Sequence, residues 1–161
     1  MDRSGMLIDQ WNHARPGTDT TGMSSTARVI RFRHALGQAL DRYHHEAGMQ
    51  SWAFDVLATL RRQPAPHRAT HRALSELAMV SNSAVTQRID KLVEQRLVAR
   101  VPNPDSRREM YVQLTKKGFD LVESAIDRHT QICTEFMSPL TADEREEFNR
   151  LFSKLLAPLG L

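Results

Sequence analysis

The chain has few of the features that mark secreted proteins and membrane proteins. Its 161 residues include a single cysteine, which excludes an intramolecular disulfide. No apolar run approaches the length needed to span a membrane. The first residues also lack the apolar segment of a secretory signal. We therefore expect a cytoplasmic protein that makes no membrane contact.

Motifs for catalysis and metal binding are also missing from the sequence. It contains no phosphate-binding glycine loop, no His-Glu-x-x-His helix and no nucleophile elbow. His67 and His71 are four residues apart, but they straddle a connector and the start of a helix, so we expect no metal and no cofactor. Cys133 matches no redox motif and is interpreted as a buried, inert thiol. These absences argue against an enzyme.

Positive charge, in contrast, is concentrated in one segment. The net charge is only +3, yet residues 61–117 carry twelve basic and five acidic side chains. Residues 1–60 are balanced, and residues 118–161 are acidic. Since the neutralisation of phosphates supplies most of the nonspecific affinity for DNA, this distribution favours a nucleic-acid partner.

The central segment has the periodicity of two short helices joined by a tight turn. Leu74 and Leu77 carry the first apolar pattern, and residues 79–82 form the polar turn. A second helix, starting near residue 83, buries three apolar residues spaced i, i+4 and i+7. These are Val85, Ile89 and Leu92. The hydrogen-bonding side chains of this helix therefore face outward, as in a helix-turn-helix.

After the second helix the pattern changes from helical to alternating, which predicts a β-hairpin. Its strands are predicted at residues 97–101 and 110–114. Its tip, residues 102–109, is rich in turn formers and contains Arg107 and Arg108. A helix-turn-helix followed by a basic hairpin is a winged helix. Its recognition helix fits the major groove, and the hairpin can place an arginine in the minor groove.

The remaining segments predict helices that support this region. Helices are expected over residues 1–15, 26–46 and 50–62, with a loop at residues 18–25 and a connector at residues 63–69. Thr115 is predicted to cap a helix that runs to about Phe136, and Thr141 opens a last helix in capping-box style. The fold class is therefore mainly α with a small β-hairpin. The predicted organisation comprises an N-terminal extension (1–25), scaffold helices (26–62), the winged helix-turn-helix (63–117) and C-terminal helices (118–161).

The terminal helices carry more apolar surface than a small winged helix can cover. Phe148, Leu151 and Leu155, for example, lie on one face of the last helix. Pairing with a second copy would bury this surface, so we predict a homodimer in which N- and C-terminal helices form the interface. A two-fold dimer would address a palindromic duplex.

The residues of the central segment resemble the MarR family of dimeric transcriptional regulators. The similar pattern is Ser81, then residues 86–92, then Leu97-Val98, and then residues 105–108, 114–115 and Gly118. The resemblance implies that Asp105 positions Arg107 for the minor groove. Together with the winged helix it predicts a set of residues that contact DNA. They are Ser81, Ser83, Thr86, Gln87, Lys91, Asp105, Arg107 and, near phosphate, Arg108.

The long N-terminal extension is similar to that of the urate-responsive subgroup of this family. Four residues stand at the positions that bind ligand in the subgroup: Trp11, Asp55, Arg88 and Arg100. The resemblance implies a repressor that urate or xanthine releases from operator DNA. Alternatives are a carboxylate or phenolic effector, or no effector at Arg88, with Asp55 and Arg88 forming a plain salt bridge. A winged helix that serves only for protein contacts is a further alternative.

Overall fold

In the computed structural model, residues 2–78, 82–104 and 106–160 are described, with residues 78, 82, 83 and 107 described in the backbone only. Seven α-helices and three β-strands form within these ranges, followed by a 3-10 turn at Ala157–Leu159. The helices are α1 (Arg3–Ala14), α2 (Thr21–Glu46), α3 (Ser51–Arg61), α4 (His71–Ala78), α5 (Asn82–Glu94), α6 (Lys116–Met137) and α7 (Ala142–Leu156). The strands are β1 (Arg68–Thr70), β2 (Val98–Asn103) and β3 (Ser106–Leu114).

The chain divides into two compact units, residues 1–40 and residues 41–161. In the first unit, the Asp2 carboxylate caps α1 by accepting a hydrogen bond from the Gly5 amide at 2.7 Å. Arg28 also pairs with Asp2. Helix α2 begins at Thr21, so the prediction of a loop over residues 18–25 was wrong at its C-terminal end. The Asp19 carboxylate explains this early start because it accepts a hydrogen bond from the Thr21 amide at 2.9 Å.

The second unit contains a continuous apolar core. Helix α3, predicted over residues 50–62, is its centre, since Phe54, Val56, Leu57 and Leu60 are all buried. Helices α4, α5 and α6 and the sheet pack around it. Of the two leucines in the apolar pattern of α4, Leu74 is buried in this core, whereas Leu77 is 53% exposed.

The β-sheet has three antiparallel strands in the order β1-β3-β2, one more than the predicted hairpin. The additional strand, β1, lies largely in residues 63–69, which were predicted to be a connector. Ala69 of β1 is buried and pairs with Val112 of β3. The prolines at positions 64 and 66 favoured the prediction of a loop, and three residues are too few to show an alternating pattern.

The β2–β3 hairpin is longer than predicted. Its strands extend to Asn103 and Ser106, well into the expected tip. The register shifts between the pairs Pro102–Met110 and Asn103–Ser106. As a result, residues 107–109 form an irregular stretch of β3, as a β-bulge does.

A tight joint links the end of α5, the start of β2 and the start of α6. Arg96 has a positive φ of 60°, and the amides of Arg96 and Leu97 bond back to the carbonyls of Val93 and Leu92, which ends α5 in a Schellman motif. The Thr115 hydroxyl caps α6 by accepting from the Gly118 amide, as predicted. This joint fixes where the wing leaves the recognition helix.

Helix α7 begins with the predicted capping box between Thr141 and Glu144. None of its residues is buried in the single chain. Its apolar side chains are therefore at least partly exposed to solvent, and Leu155 is 63% exposed. In the part of the chain that the structure describes, no helix is long and apolar enough to cross a membrane.

Candidate nucleic-acid interface

The orientation of α5 is fixed by three completely buried side chains: Val85, Ile89 and Leu92. This confirms the buried stripe that the sequence predicted. Thr86 and Gln87 consequently lie on the exposed side of the helix. Lys91, one turn further along, is exposed as well. Helix α5 therefore has the orientation that a recognition helix requires.

Two of the exposed residues have additional contacts within the protein. The Nε2 atom of His71, the first residue of α4, lies 2.8 Å from the Thr86 hydroxyl. The Lys91 ammonium lies over the Trp52 ring, 5.9 Å from its centroid. These contacts connect the recognition helix to α4 and to the start of α3.

The wing places Arg108 at the surface. Its backbone amide donates to the Ser106 hydroxyl at 3.4 Å. Of the other predicted DNA contacts, Ser81 and Asp105 lie outside the described residues, as do the side chains of Ser83 and Arg107. Their roles remain predictions from the family pattern.

Among the predicted ligand residues, Asp55 and Arg88 are coupled by charge. Asp55 is an exposed residue of α3, yet the protein around it removes enough water to raise the pKa of its carboxyl. Arg88 opposes this rise more strongly than any other neighbouring cation. The salt bridges among the described residues do not include an Asp55–Arg88 pair, so the plain salt bridge considered in the sequence analysis does not form.

Arg88 is half-buried and lines a cavity of about 170 Å³ together with Trp52, Gln87 and Lys91. Arg100 lines a different cavity of about 170 Å³, and its guanidinium pairs with Asp90 of α5. Residues 88 and 90 point to different sides of an α-helix, which separates the two guanidinium groups. The structure therefore connects Asp55 with Arg88 but does not place Arg100 in the same cavity.

Trp11, the fourth predicted ligand residue, belongs to α1 in the N-terminal unit. Its indole is 44% exposed in this chain. A role for Trp11 in ligand binding remains a prediction.

A polar cluster beside Asp55 was not predicted from the sequence. The Nε2 atom of buried His44 lies 3.1 Å from Nδ1 of His129, and the Sγ atom of Cys133 is 3.8 Å from Nε2 of His129. Cys133 is half-buried and not fully buried as expected. Because 85 positions separate the two histidines, no local spacing could have revealed this contact.

The amino-acid sequence matches the model of the MarR family over residues 47–109. It is 30% identical to the multiple antibiotic resistance protein MarR of Escherichia coli strain K12 over 131 residues, which cover 78% of this chain and 89% of that protein. The chain belongs to the MarR family. The helix-turn-helix, the wing and the flanking helices described above are those of this family.

Two further similarities extend over most of this MarR-family chain. It is 28% identical to the transcriptional regulator PecS of Dickeya dadantii strain 3937 over 149 residues, covering 92% of this chain and 90% of PecS. It also superposes on the crystal structure of a mutant Escherichia coli MarR complexed with operator DNA. That match has a TM-score of 0.75 at 25% identity and covers 87% of this chain and 99% of that chain. Relatives and fold are those of transcriptional regulators and not of enzymes, as predicted.

Proposed function

We propose that this MarR-family regulator is a homodimeric repressor that binds a palindromic operator and is released by a small anionic ligand, urate or xanthine. The DNA-binding part is supported by the orientation of α5, which exposes Thr86, Gln87 and Lys91. It is also supported by the basic segment 61–117 and by the similar structure of MarR with operator DNA. The two copies would present their recognition helices to successive major grooves.

The observation that supports the ligand response is the charge interaction between Asp55 and Arg88, which occurs without a salt bridge between these two described residues. Because no salt bridge among the described residues joins Asp55 and Arg88, the Arg88 guanidinium can form bidentate hydrogen bonds with a planar anion. Because Arg88 belongs to α5, a ligand that binds it also acts on the recognition helix. Release follows if the ligand binds the DNA-incompetent arrangement more tightly.

The proposed roles follow the predicted sets of residues. Ser81, Ser83, Thr86, Gln87 and Lys91 contact the major groove, while Arg107, positioned by Asp105, enters the minor groove and Arg108 contacts phosphate. Trp11, Asp55, Arg88 and Arg100 bind the ligand. Since Arg100 is paired with Asp90 in this structure, its participation requires that this pair open first.

A mobility-shift assay on the DNA upstream of the gene tests the DNA-binding part. Arg107→Ala should weaken binding by about 1–3 kcal/mol, since it removes a groove contact. Arg145→Ala, on α7 and remote from the basic segment in sequence, is the control and should bind as the unmodified protein does. Equal affinity of all three proteins would contradict the role of the wing.

The ligand response is tested by adding urate or xanthine to the preformed complex. We expect release of the operator by the unmodified protein and no release in Arg88→Met at the same ligand concentration. If neither purine releases DNA at millimolar concentration while an aromatic carboxylate does so through Arg88, the alternative effector class is correct. If no compound acts through Arg88, the residue has a purely structural role.

A further inference from the structure

A histidine at the start of α4 contacts the side of α5 that faces DNA in the proposed function. His71 is the first residue of α4, and its Nε2 atom lies 2.8 Å from the Thr86 hydroxyl. The two residues are 15 positions apart and belong to different helices of the helix-turn-helix. Because Thr86 is exposed, this hydrogen bond lies at the surface and not in the apolar core.

His71 is held in place by the residues on either side of it. The preceding residue, Thr70, pairs with Tyr111 in the β-sheet, and its hydroxyl accepts from the Ala73 amide at 3.2 Å, as an N-cap does. One turn further along, Leu74 is buried in the core, with 1% of its surface exposed. The half-buried imidazole therefore extends from a backbone that is fixed at both ends, and only its own two torsions can change its position.

The side chain of Thr86, in contrast, has no single preferred orientation of its own. A threonine in a helix divides between two χ1 rotamers, which point the hydroxyl and the methyl group in different directions. In the major groove these two groups recognise different features, because the hydroxyl bonds to base edges and the methyl contacts the thymine methyl. The bond to His71 favours the rotamer in which the hydroxyl points towards α4, and this also fixes the direction of the methyl group.

The bond to His71 is compatible with a contact between Thr86 and a base. A hydroxyl can take part in three hydrogen bonds, one as donor and two as acceptor. Thr86 also lies near the start of α5, and the N-terminal residues of a recognition helix are those that contact base edges. The orientation of this side chain therefore affects which sequence is read, whereas a contact to phosphate would only add affinity.

We propose that His71 is a positioning residue for operator recognition, which holds the Thr86 side chain in the rotamer that reads its base pair. This inference rests on the proposed function, because it takes Thr86 as a residue that contacts the major groove. Since the bond exists in the free protein, little rotamer freedom of Thr86 is lost when DNA binds.

The positioning part is tested by NMR on the free, full-length protein. Three-bond couplings from the Thr86 methyl carbon to the backbone nitrogen and carbonyl carbon report χ1. We expect one rotamer in the unmodified protein and averaged couplings in His71→Ala. In His71→Gln one rotamer should return, because the side-chain amide supplies a hydrogen-bonding group at a similar reach. Equal couplings in the unmodified protein and in His71→Ala would overturn the proposal.

The recognition part is tested with a set of operator duplexes in which each base pair is changed in turn. Thr86→Val replaces the hydroxyl by a methyl group and identifies the base pair that Thr86 reads, because discrimination there should fall by about tenfold. His71→Ala should lose discrimination at the same base pair and keep it elsewhere, and His71→Gln should retain most of it. His13→Ala, which removes an exposed histidine of α1, is the control and should read every position normally.

A double variant separates positioning from a direct contact between His71 and DNA. If His71 acts through the Thr86 hydroxyl, His71→Ala combined with Thr86→Val should bind every duplex as Thr86→Val alone does. A contact between His71 and phosphate predicts a different result. Affinity would then fall equally on all duplexes, the loss would persist in the Thr86→Val background, and the proposal would be refuted.

The two experiments distinguish failure of this inference from failure of the proposed function. If operator binding is normal and Thr86→Val changes a base preference that His71→Ala leaves intact, the proposed function stands and the inference is wrong. If Thr86→Val changes no base preference, Thr86 does not read a base and the inference is also wrong. If the protein binds no DNA, the proposed function fails and the recognition part fails with it, while the NMR couplings still decide whether His71 holds Thr86.

Discussion

Asp55 is a residue whose ionised side chain lowers the stability of the fold. Its neighbours in sequence, Phe54 and Val56, are buried, so the helix anchors the carboxylate at the border of the core. Arg88, His129 and Arg62 attract its charge, and Asp41 repels it. Desolvation outweighs these attractions, and the pKa of the carboxyl is raised. The folded protein therefore prefers the neutral acid more than the unfolded chain does.

This preference predicts that Asp55→Asn raises the melting temperature at pH 7. A raised pKa in the folded state means that the ionised carboxylate destabilises the fold at every pH above the titration range. The gain should shrink as the pH falls towards about 4, where the carboxyl of the unfolded chain is itself protonated. Thermal melts at several pH values measure this. A variant that melts below the unmodified protein at pH 7 would contradict the charge balance.

The cluster around His44 has a defined hydrogen-bond direction. The Ser51 hydroxyl donates to the Asp41 carboxylate, so its oxygen accepts from Nδ1–H of His44 at 2.8 Å. Nε2 of His44 must then accept from Nδ1–H of His129. Burial lowers the pKa of His44 to about 4, with a smaller contribution from the charge of His129. The fold therefore needs His44 neutral.

We expect this requirement to appear as a loss of stability in acid. A histidine with a depressed pKa stabilises the fold above its unfolded pKa of about 6.5, and this contribution is lost as the pH falls towards about 4. The shift corresponds to at most about 3 kcal/mol. In His44→Gln, the free energy of unfolding from urea titrations should vary less between these pH values. An unchanged pH dependence would show that His44 titrates normally.

At the scale of elements, the joint between α5, β2 and α6 determines where the wing stands. An added Cβ at Gly118 would lie 2.0 Å from the carbonyl oxygen of Leu97, far inside van der Waals contact. The Thr115 hydroxyl also donates to the Arg96 carbonyl at 2.8 Å. The close approach of Gly118 to Leu97 and the hydrogen bonds of Thr115 thus help to hold the wing against α6.

Gly118→Ala should accordingly destabilise the protein by about 3 kcal/mol, at the upper end of overpacking effects, because backbone atoms must move. Gly22→Ala is the control, since a Cβ there meets no atom within 4 Å, and its stability should change little. Chemical denaturation measures both. If the two variants lose the same stability, the close approach at Leu97 is not what fixes the joint.

Elements with a long, regular pattern were predictable from the sequence, whereas contacts between distant segments were not. The buried stripe of α5 and the caps at Thr115 and Thr141 follow from local spacing and local hydrogen bonds, and all were confirmed. Strand β1 could not be predicted because three residues become a strand only by pairing with β3. The separation of Arg88 from Arg100 likewise depends on the ion pair between Arg100 and Asp90, which no sequence pattern reveals.

At the scale of the whole molecule, charge and apolar surface are divided between different parts of the chain. The basic residues are concentrated in segment 61–117, and α7 combines acidic residues with an apolar face that no part of the single chain buries. Burial of this face contributes about 25 cal/mol per Å² of apolar area removed from water. A second copy is the partner that the proposed palindromic operator requires, since each copy supplies one recognition helix.

If α7 forms that interface, Leu155→Lys should shift the protein towards monomers, because it places a charge in an apolar contact. Ser153→Lys adds the same charge two positions away on an exposed polar site of the same helix and should remain dimeric. Light scattering at micromolar concentration reports the mass, and a mobility shift reports affinity for the palindrome. Leu155→Lys should lose affinity for the full palindrome much more than for a single half-site. Only on the palindrome do two linked recognition helices bind together and strengthen each other's binding. A monomeric unmodified protein, or equal behaviour of the two variants, would remove α7 from the interface and leave the apolar face to another partner.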